Sequence, residues 1–286
     1  MPNIKGRYIV ETDWLAEHLS APDLVLVDGS LHLPTAKRDA RAEYEAAHIP
    51  GAIFFDIDDI ADDTHPMPHM LPPPAKFSSR VRGLGIGDGM RVIAYDSVGL
   101  YSAARVWWMF RAMGHEDVAV LNGGLPKWRA EGRPVTDMPT PARQERHFTP
   151  RMNASLIRDI DDMRSTVQTR AEQVLDARAP GRFNGVEPEP RESLRSGHMP
   201  GAINVHYASL LSENGTLKPE AELRAVFDAA GVDVKKPVVT TCGSGVTACI
   251  VSLALATIGR ADVPVYDGSW TEWGDAASGC PVTLDG

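Results

Sequence analysis

Residues 238–259 read VVTTCGSGVTACIVSLALATIG: a β-branched run, then a cysteine and two glycines, then a long apolar run. This is the pattern of a buried strand, a tight loop and a buried helix. The same order recurs at residues 92–114, VIAYDSVGLYSAARVWWMFRAMG, where Asp96 stands opposite Cys242. Working outward, AAHIPGAIFFDI (46–57) matches SGHMPGAINVHY (196–207), aligning His48 with His198. VLVDGS (25–30) matches VLDARA (174–179), aligning Asp28 with Asp176. VAVLNGGLPKW (118–128) matches VPVYDGSWTEW (263–273), aligning Trp128 with Trp273. The offsets of 150, 148, 146 and 145 keep their order with small gaps, which marks an internal duplication.

Each half alternates short β-rich runs with helical patterns. LVLVD, RVIAY and VAVL read as strands in the first half; VLD, PVVTT and VPVY are their counterparts in the second. Such alternation predicts an α/β fold with mainly parallel sheets and helices on both faces. The polar, proline-bearing stretch DMPTPARQERHFTP (137–150) has no periodicity and reads as a linker. The expected organisation is an N-terminal domain at 1–138, a linker at 139–151 and a C-terminal domain at 152–286.

Composition narrows the function class. A hydrophobic content of 43% with 23% charged residues is that of a globular chain. The net charge of −9 argues against a nucleic-acid partner. The longest apolar run, 248–258, falls well short of the roughly 20 residues a membrane span needs, so no membrane partner is expected. The start, MPNIKGRYIVETDW, has no charged segment followed by an apolar one. With three cysteines, it suggests free thiols in a reducing, cytoplasmic setting. No CxxC or clustered His/Cys pair offers a metal site, and no cofactor is expected.

Cys242 would sit at the carboxyl end of a parallel strand, where ligands of open α/β sheets gather. Gly243 and Gly245 let backbone N–H groups approach an anion closely, and the helix that follows aims its positive end at the same spot. That setting favours a negatively charged, nucleophilic sulfur. The alternative is that Cys242 is a small buried hydrophobe, as many free cysteines are. Since Asp96 replaces it in the first half, thiol chemistry belongs to one half only.

The loop CGSGVTA, the paired HIPGA and HMPGA blocks and the strand ends leading to Trp128 and Trp273 resemble the two-domain rhodanese-type sulfurtransferases over nearly the whole chain. The loop is most similar to that of the 3-mercaptopyruvate-using members. The resemblance implies two tandem rhodanese-like domains, of which only the second is catalytic. Cys242 would take a sulfur atom as a persulfide and pass it to a thiol such as thioredoxin or glutathione, or to cyanide. Gly243, Gly245, Val246 and Thr247 would form the cradle for that sulfur.

The segment DARAPGRFNGVEPEPRESLRSGH (176–198) carries four arginines and opens on the same sheet edge. The planar fork of arginine suits a carboxylate, although three glutamates nearby allow plain surface pairing. The match to the family pattern DARxxGRFxGxEPEPR implies that Arg182 and Arg191 bind the donor's carboxylate and keto oxygen. Arg178 and Arg195 are read as structural, with Asp176 a partner. In the first half, FFDIDDIADDTHPMPHMLP (54–72) reads on its own as a solvated loop. The resemblance assigns His69 and Asp58 to a relay with Ser244 across a domain interface, which would move a proton at the substrate. Asp56 and Asp59 lie close to Asp58, and Pro68 replaces the acidic residue usual before HMLP.

Three other readings remain. A thiosulfate sulfurtransferase would share the chemistry, but it usually has cationic residues in the cysteine loop, and Gly243-Ser244-Gly245 is neutral. A phosphatase of the C-x5-R type needs an arginine six residues after the cysteine, where Ala248 stands. A non-catalytic sulfur-carrier module would not need the arginine pair. Cys249 reads as core, Cys280 as exposed and oxidisable, and Trp107, Trp108, Trp128, Trp270 and Trp273 as packing residues.

Overall fold

The computed structural model describes residues 5–191 and 193–284. Chain contacts divide it into two units: one of residues up to 64, 71–153 and 212–217, the other of residues 65–70, 154–211 and 218 onward.

The first unit holds β1 (Ile9–Val10), β2 (Leu24–Asp28), β3 (Ile53–Phe54), β4 (Arg91–Tyr95) and β5 (Val118–Leu121). The second holds β6 (Ile157–Arg158), β7 (Gln173–Asp176), β8 (Ile203–Asn204), β9 (Val238–Thr241) and β10 (Val265–Tyr266). The sheet orders are β1-β5-β4-β2-β3 and β6-β10-β9-β7-β8, the same topology twice, and all pairs are parallel. The four two-residue edge strands were not legible in the sequence, being too short to show a period.

Burial explains why the central strands read as continuous apolar runs. In β2, Leu24 and Leu26 join a cluster with Leu15, Tyr95 and Trp128. Val25 and Val27, which point to the opposite face, are equally buried. A sheet covered on both faces leaves no polar side to alternate with. The helix Ala248–Thr257 is buried along almost its whole length and lacks a polar stripe, whereas the helix Ala103–Ala112 is nearly as buried while carrying Arg105 and Arg111. All five tryptophans read as packing residues are fully buried.

The duplicated histidines turn out to be structural. His48 bonds the carbonyl of Tyr44 and stacks on its ring, while His198 bonds the carbonyl of Phe183 and stacks on that ring. Each also anchors an isolated bridge, to Thr136 and Thr283 respectively.

The proline-bearing stretch is held closely by the first unit. Phe148 is buried against Phe77 and Phe110, Thr149 bonds Asp88 through both its backbone N–H and its hydroxyl, and Arg151 N–H donates to the Met113 carbonyl. The backbones of Gly85 and Gly114 lie against Arg143 and Arg151, leaving no room there for a side chain.

The aligned aspartates differ in their charge partners. Asp176 is paired with Arg178, whereas Asp28 is buried beside Ser30 and Tyr95, and burial pushes its carboxyl up to about 6. A carboxyl raised above its unfolded value contributes stability that is complete below about pH 4 and is lost as pH rises through 6. Asp28→Asn is therefore expected to stabilise the protein by roughly 1–3 kcal/mol at pH 8 and to give no such gain at pH 4. Urea unfolding at the two pH values measures the difference; an equal effect at both would contradict this origin.

Candidate active site

Cys242 leaves the carboxyl end of β9 and is 2% exposed. Thr241 pairs with Asp176 at the end of β7, so the loops after both strands emerge on one edge of the sheet.

The residues after β10 clamp the cysteine loop. The Cys242 N–H donates to Ser269 Oγ at 3.2 Å, and the Trp270 N–H donates to the Cys242 carbonyl at 2.9 Å. Thr271 donates to the Gly243 carbonyl twice, through its N–H at 2.8 Å and its hydroxyl at 2.6 Å. The first half keeps part of this clamp, with the Leu125 N–H donating to the Asp96 carbonyl at 3.0 Å. Ser269 has a left-handed φ of 51°, where the first half has Gly124 at 52°. A side chain there is strained, and residues held this way cluster at functional sites. The serine hydroxyl offsets the strain by accepting from Cys242 and donating to the Tyr266 carbonyl.

Asp96 shows what a loop of this shape holds. Its buried carboxylate accepts from the backbone N–H groups of Val98, Gly99, Tyr101 and Ala103 at 2.7–2.9 Å. The first half is thus an anion cradle filled by its own side chain. The second-half loop, 242–247, is one residue shorter than 96–102 and presents a thiol where the carboxylate stands. Gly245 is left-handed like Gly99, Ser244 and Val246 are buried, and Thr247 immediately precedes the helix Ala248–Thr257 without a side-chain bond to its first N–H groups.

Two arginines converge on Gly243. Arg182 lies on the short helix Pro180–Phe183, and a methyl group placed on Gly243 would stand 3.1 Å from its Nη2. Arg191 Nη1 reaches Thr271 Oγ1 at 3.4 Å, the same hydroxyl that holds the Gly243 carbonyl. Arg178 and Arg195 serve the fold. Arg178 is buried between Asp176 and Glu189 and lies 4.2 Å over the Trp270 ring. Arg195 donates to the carbonyls of Gly274, Cys280, Trp273 and Asp275.

His69 belongs to the segment 65–70, which groups with the same unit as Ser244 and has a left-handed φ of 63°. Asp58 lies in the first unit on the helix Ile57–Ile60, whose first N–H groups are capped by Asp56. Cys249 is core, its thiol donating to the Gly245 carbonyl. Cys280 corrects the expectation of exposure: it is 3% exposed, packed with Tyr266, Trp270 and Trp273. The Arg195 bond to its carbonyl draws this C-terminal segment onto the core.

Residues not singled out from sequence are Glu189, Ser269 and Thr271. Glu189 looks like one of several surface acids, yet its side chain is 1% exposed. The one available signal was for Ser269, which stands where the repeat has a second glycine.

Comparison with known proteins adds a lineage to this geometry. The rhodanese-like domain family matches twice, at residues 11–131 and 159–276. The chain is 46% identical to the human 3-mercaptopyruvate sulfurtransferase over 276 residues, covering 93% of this chain and 92% of the relative. It is 43% identical to the rat thiosulfate sulfurtransferase, with 93% and 92% covered. Among solved structures, it is similar to that of SseA from Escherichia coli, described as a 3-mercaptopyruvate sulfotransferase. That likeness has a TM-score of 0.84 at 40% identity, covering 92% of this chain and 98% of the other.

Proposed function

The chain belongs to the rhodanese family, and on that premise we propose that it is a 3-mercaptopyruvate sulfurtransferase working through a persulfide on Cys242. The observation that carries the donor assignment is the convergence of Arg182 and Arg191 on Gly243, the residue next to the nucleophile.

In the proposed reaction the Cys242 thiolate attacks the sulfur of 3-mercaptopyruvate. A new S–S bond forms as the C–S bond breaks, and the electron pair of that bond moves into the enolate of pyruvate. The thiol proton of the donor ends on the enolate carbon, which gives pyruvate. Arg182 and Arg191 hold the donor's carboxylate and keto oxygen. As the enolate develops, charge grows on that oxygen, so the arginine contact strengthens toward the transition state. His69 and Ser244, with Asp58 as the further member of the relay, carry the proton. The backbone N–H groups of residues 243–247 hold the anionic outer sulfur, as the first-half loop holds the Asp96 carboxylate. A thiol acceptor such as thioredoxin or glutathione, or cyanide, then attacks the outer sulfur and restores the Cys242 thiolate. No cofactor enters the scheme. The proposed compartment is the cytoplasm, where the three free cysteines stay reduced.

Steady-state kinetics with one thiol acceptor and either donor tests this reading. A kcat/KM at least tenfold higher for 3-mercaptopyruvate than for thiosulfate is expected, about 1.4 kcal/mol of discrimination. A preference for thiosulfate would overturn the donor assignment, and activity with neither would leave the sulfur-carrier reading.

A further inference from the structure

Beside the cysteine loop lies a row of alternating charges. Asp176 and Glu189 flank Arg178, and Glu189 in turn binds Arg182. Asp176, Arg178 and Glu189 have side chains only 1% exposed, while Arg182, at 22%, is the member that opens toward a ligand. Glu189 takes the Nε and Nη2 edge of the Arg182 guanidinium, at 3.3 and 2.5 Å. Nη2 and Nη1 are then the atoms nearest the open side of Gly243, 3.1 and 3.8 Å from where a Cβ would stand.

Two consequences follow from this geometry. Holding one edge of a planar fork fixes the direction in which the remaining donors point, which matters for a carboxylate that must be met in one plane. The carboxylates in the row also balance its guanidiniums. Of the two arginines that converge on Gly243, Arg182 is therefore neutralised, and Arg191 has Thr271 as its hydrogen-bond partner. A site with that balance matches a single negative charge better than two.

We propose that Glu189 is a positioning and specificity-determining residue: it aims Arg182 over the Cys242 loop and neutralises it, so that the site selects a singly charged 2-oxo acid over the thiosulfate dianion. The inference rests on the sulfur-transfer reading of Cys242. It goes beyond that reading in assigning donor choice to a carboxylate that never touches the donor.

The test measures kcat and KM for 3-mercaptopyruvate and for thiosulfate in the wild type, Glu189→Gln and Glu189→Asp. Thermal unfolding of each is followed in parallel. In E189Q the shape is kept and the charge removed. Its KM for 3-mercaptopyruvate is expected to rise about tenfold while that for thiosulfate falls, shifting the donor ratio by about tenfold or more. In E189D the charge is kept with a shorter reach, so thiosulfate use stays low while the KM for 3-mercaptopyruvate rises. A purely structural role predicts equal losses with both donors, which would overturn the inference, as would an unchanged ratio in E189Q. Should E189Q fail to fold, E189D carries the test: a rise in thiosulfate use there would overturn the charge argument. A wild type inactive with both donors would overturn the sulfur-transfer reading and this inference with it.

Discussion

Cys242→Ser is expected to abolish sulfur transfer from every donor, by four orders of magnitude or more on the scale usual for a lost nucleophile. The substitution is close to isosteric, and a serine hydroxyl cannot store a sulfur atom and release it to a thiol. The fold should survive. The bonds that place residue 242 run through its backbone, from its N–H to Ser269 and from Trp270 to its carbonyl, and the serine keeps both. Circular dichroism and the unfolding temperature check the fold, and turnover with cyanide as acceptor checks the chemistry. Activity surviving in a folded C242S protein would remove the persulfide from the account.

The second large effect is expected at Arg182. Replacing it with alanine removes a charged, forked donor and leaves the buried Glu189 carboxylate with Arg178 as its remaining guanidinium. Together these should lower kcat/KM for 3-mercaptopyruvate by about 2–4 kcal/mol, or roughly 30- to 1000-fold. Arg182→Lys separates charge from geometry. A lysine keeps the positive charge without the planar fork, so it should recover only part of the loss. With the charge kept in R182K, thiosulfate, which has no carboxylate for the fork to meet, should lose less than 3-mercaptopyruvate. An equal fall with both donors would point to general damage at the loop.

How much of this was readable in advance depended on the length of the signal. The duplication spans four blocks, and the paired sheets, the Cys242 loop and the role of Asp96 as its counterpart all follow from it. The two-residue edge strands β1, β3, β6 and β8 carry too few residues for any periodicity to show. Burial of charge was the other blind spot. Composition leaves the arginine-rich segment evenly balanced between a ligand site and surface pairing; in the structure Arg178 and Arg195 bond the fold, while Arg182 and Arg191 lie beside the Cys242 loop and its clamp. Arg178 and Glu189 are charged residues in a polar, proline-rich stretch. Their burial arises from partners that the fold supplies, Asp176 and the ring of Trp270 for Arg178, and Arg178 and Arg182 for Glu189. Cys280 was misread for a similar reason: its neighbour in sequence is a proline near the chain end, but its neighbours in space are Tyr266, Trp270 and Trp273. Ser269 is the instructive case. A serine at a repeat position otherwise held by glycine marks a strained backbone whose side chain had a specific task, the Cys242 N–H.

The central claim is that Cys242 carries the sulfur. Its most direct test is intact-protein and peptide mass spectrometry after brief exposure to 3-mercaptopyruvate without an acceptor. The account predicts one added sulfur atom on the peptide containing Cys242, removed by a thiol or cyanide and absent from C242S. A donor-dependent release of pyruvate with no sulfur on Cys242, or with the sulfur on Cys249 or Cys280, would contradict it.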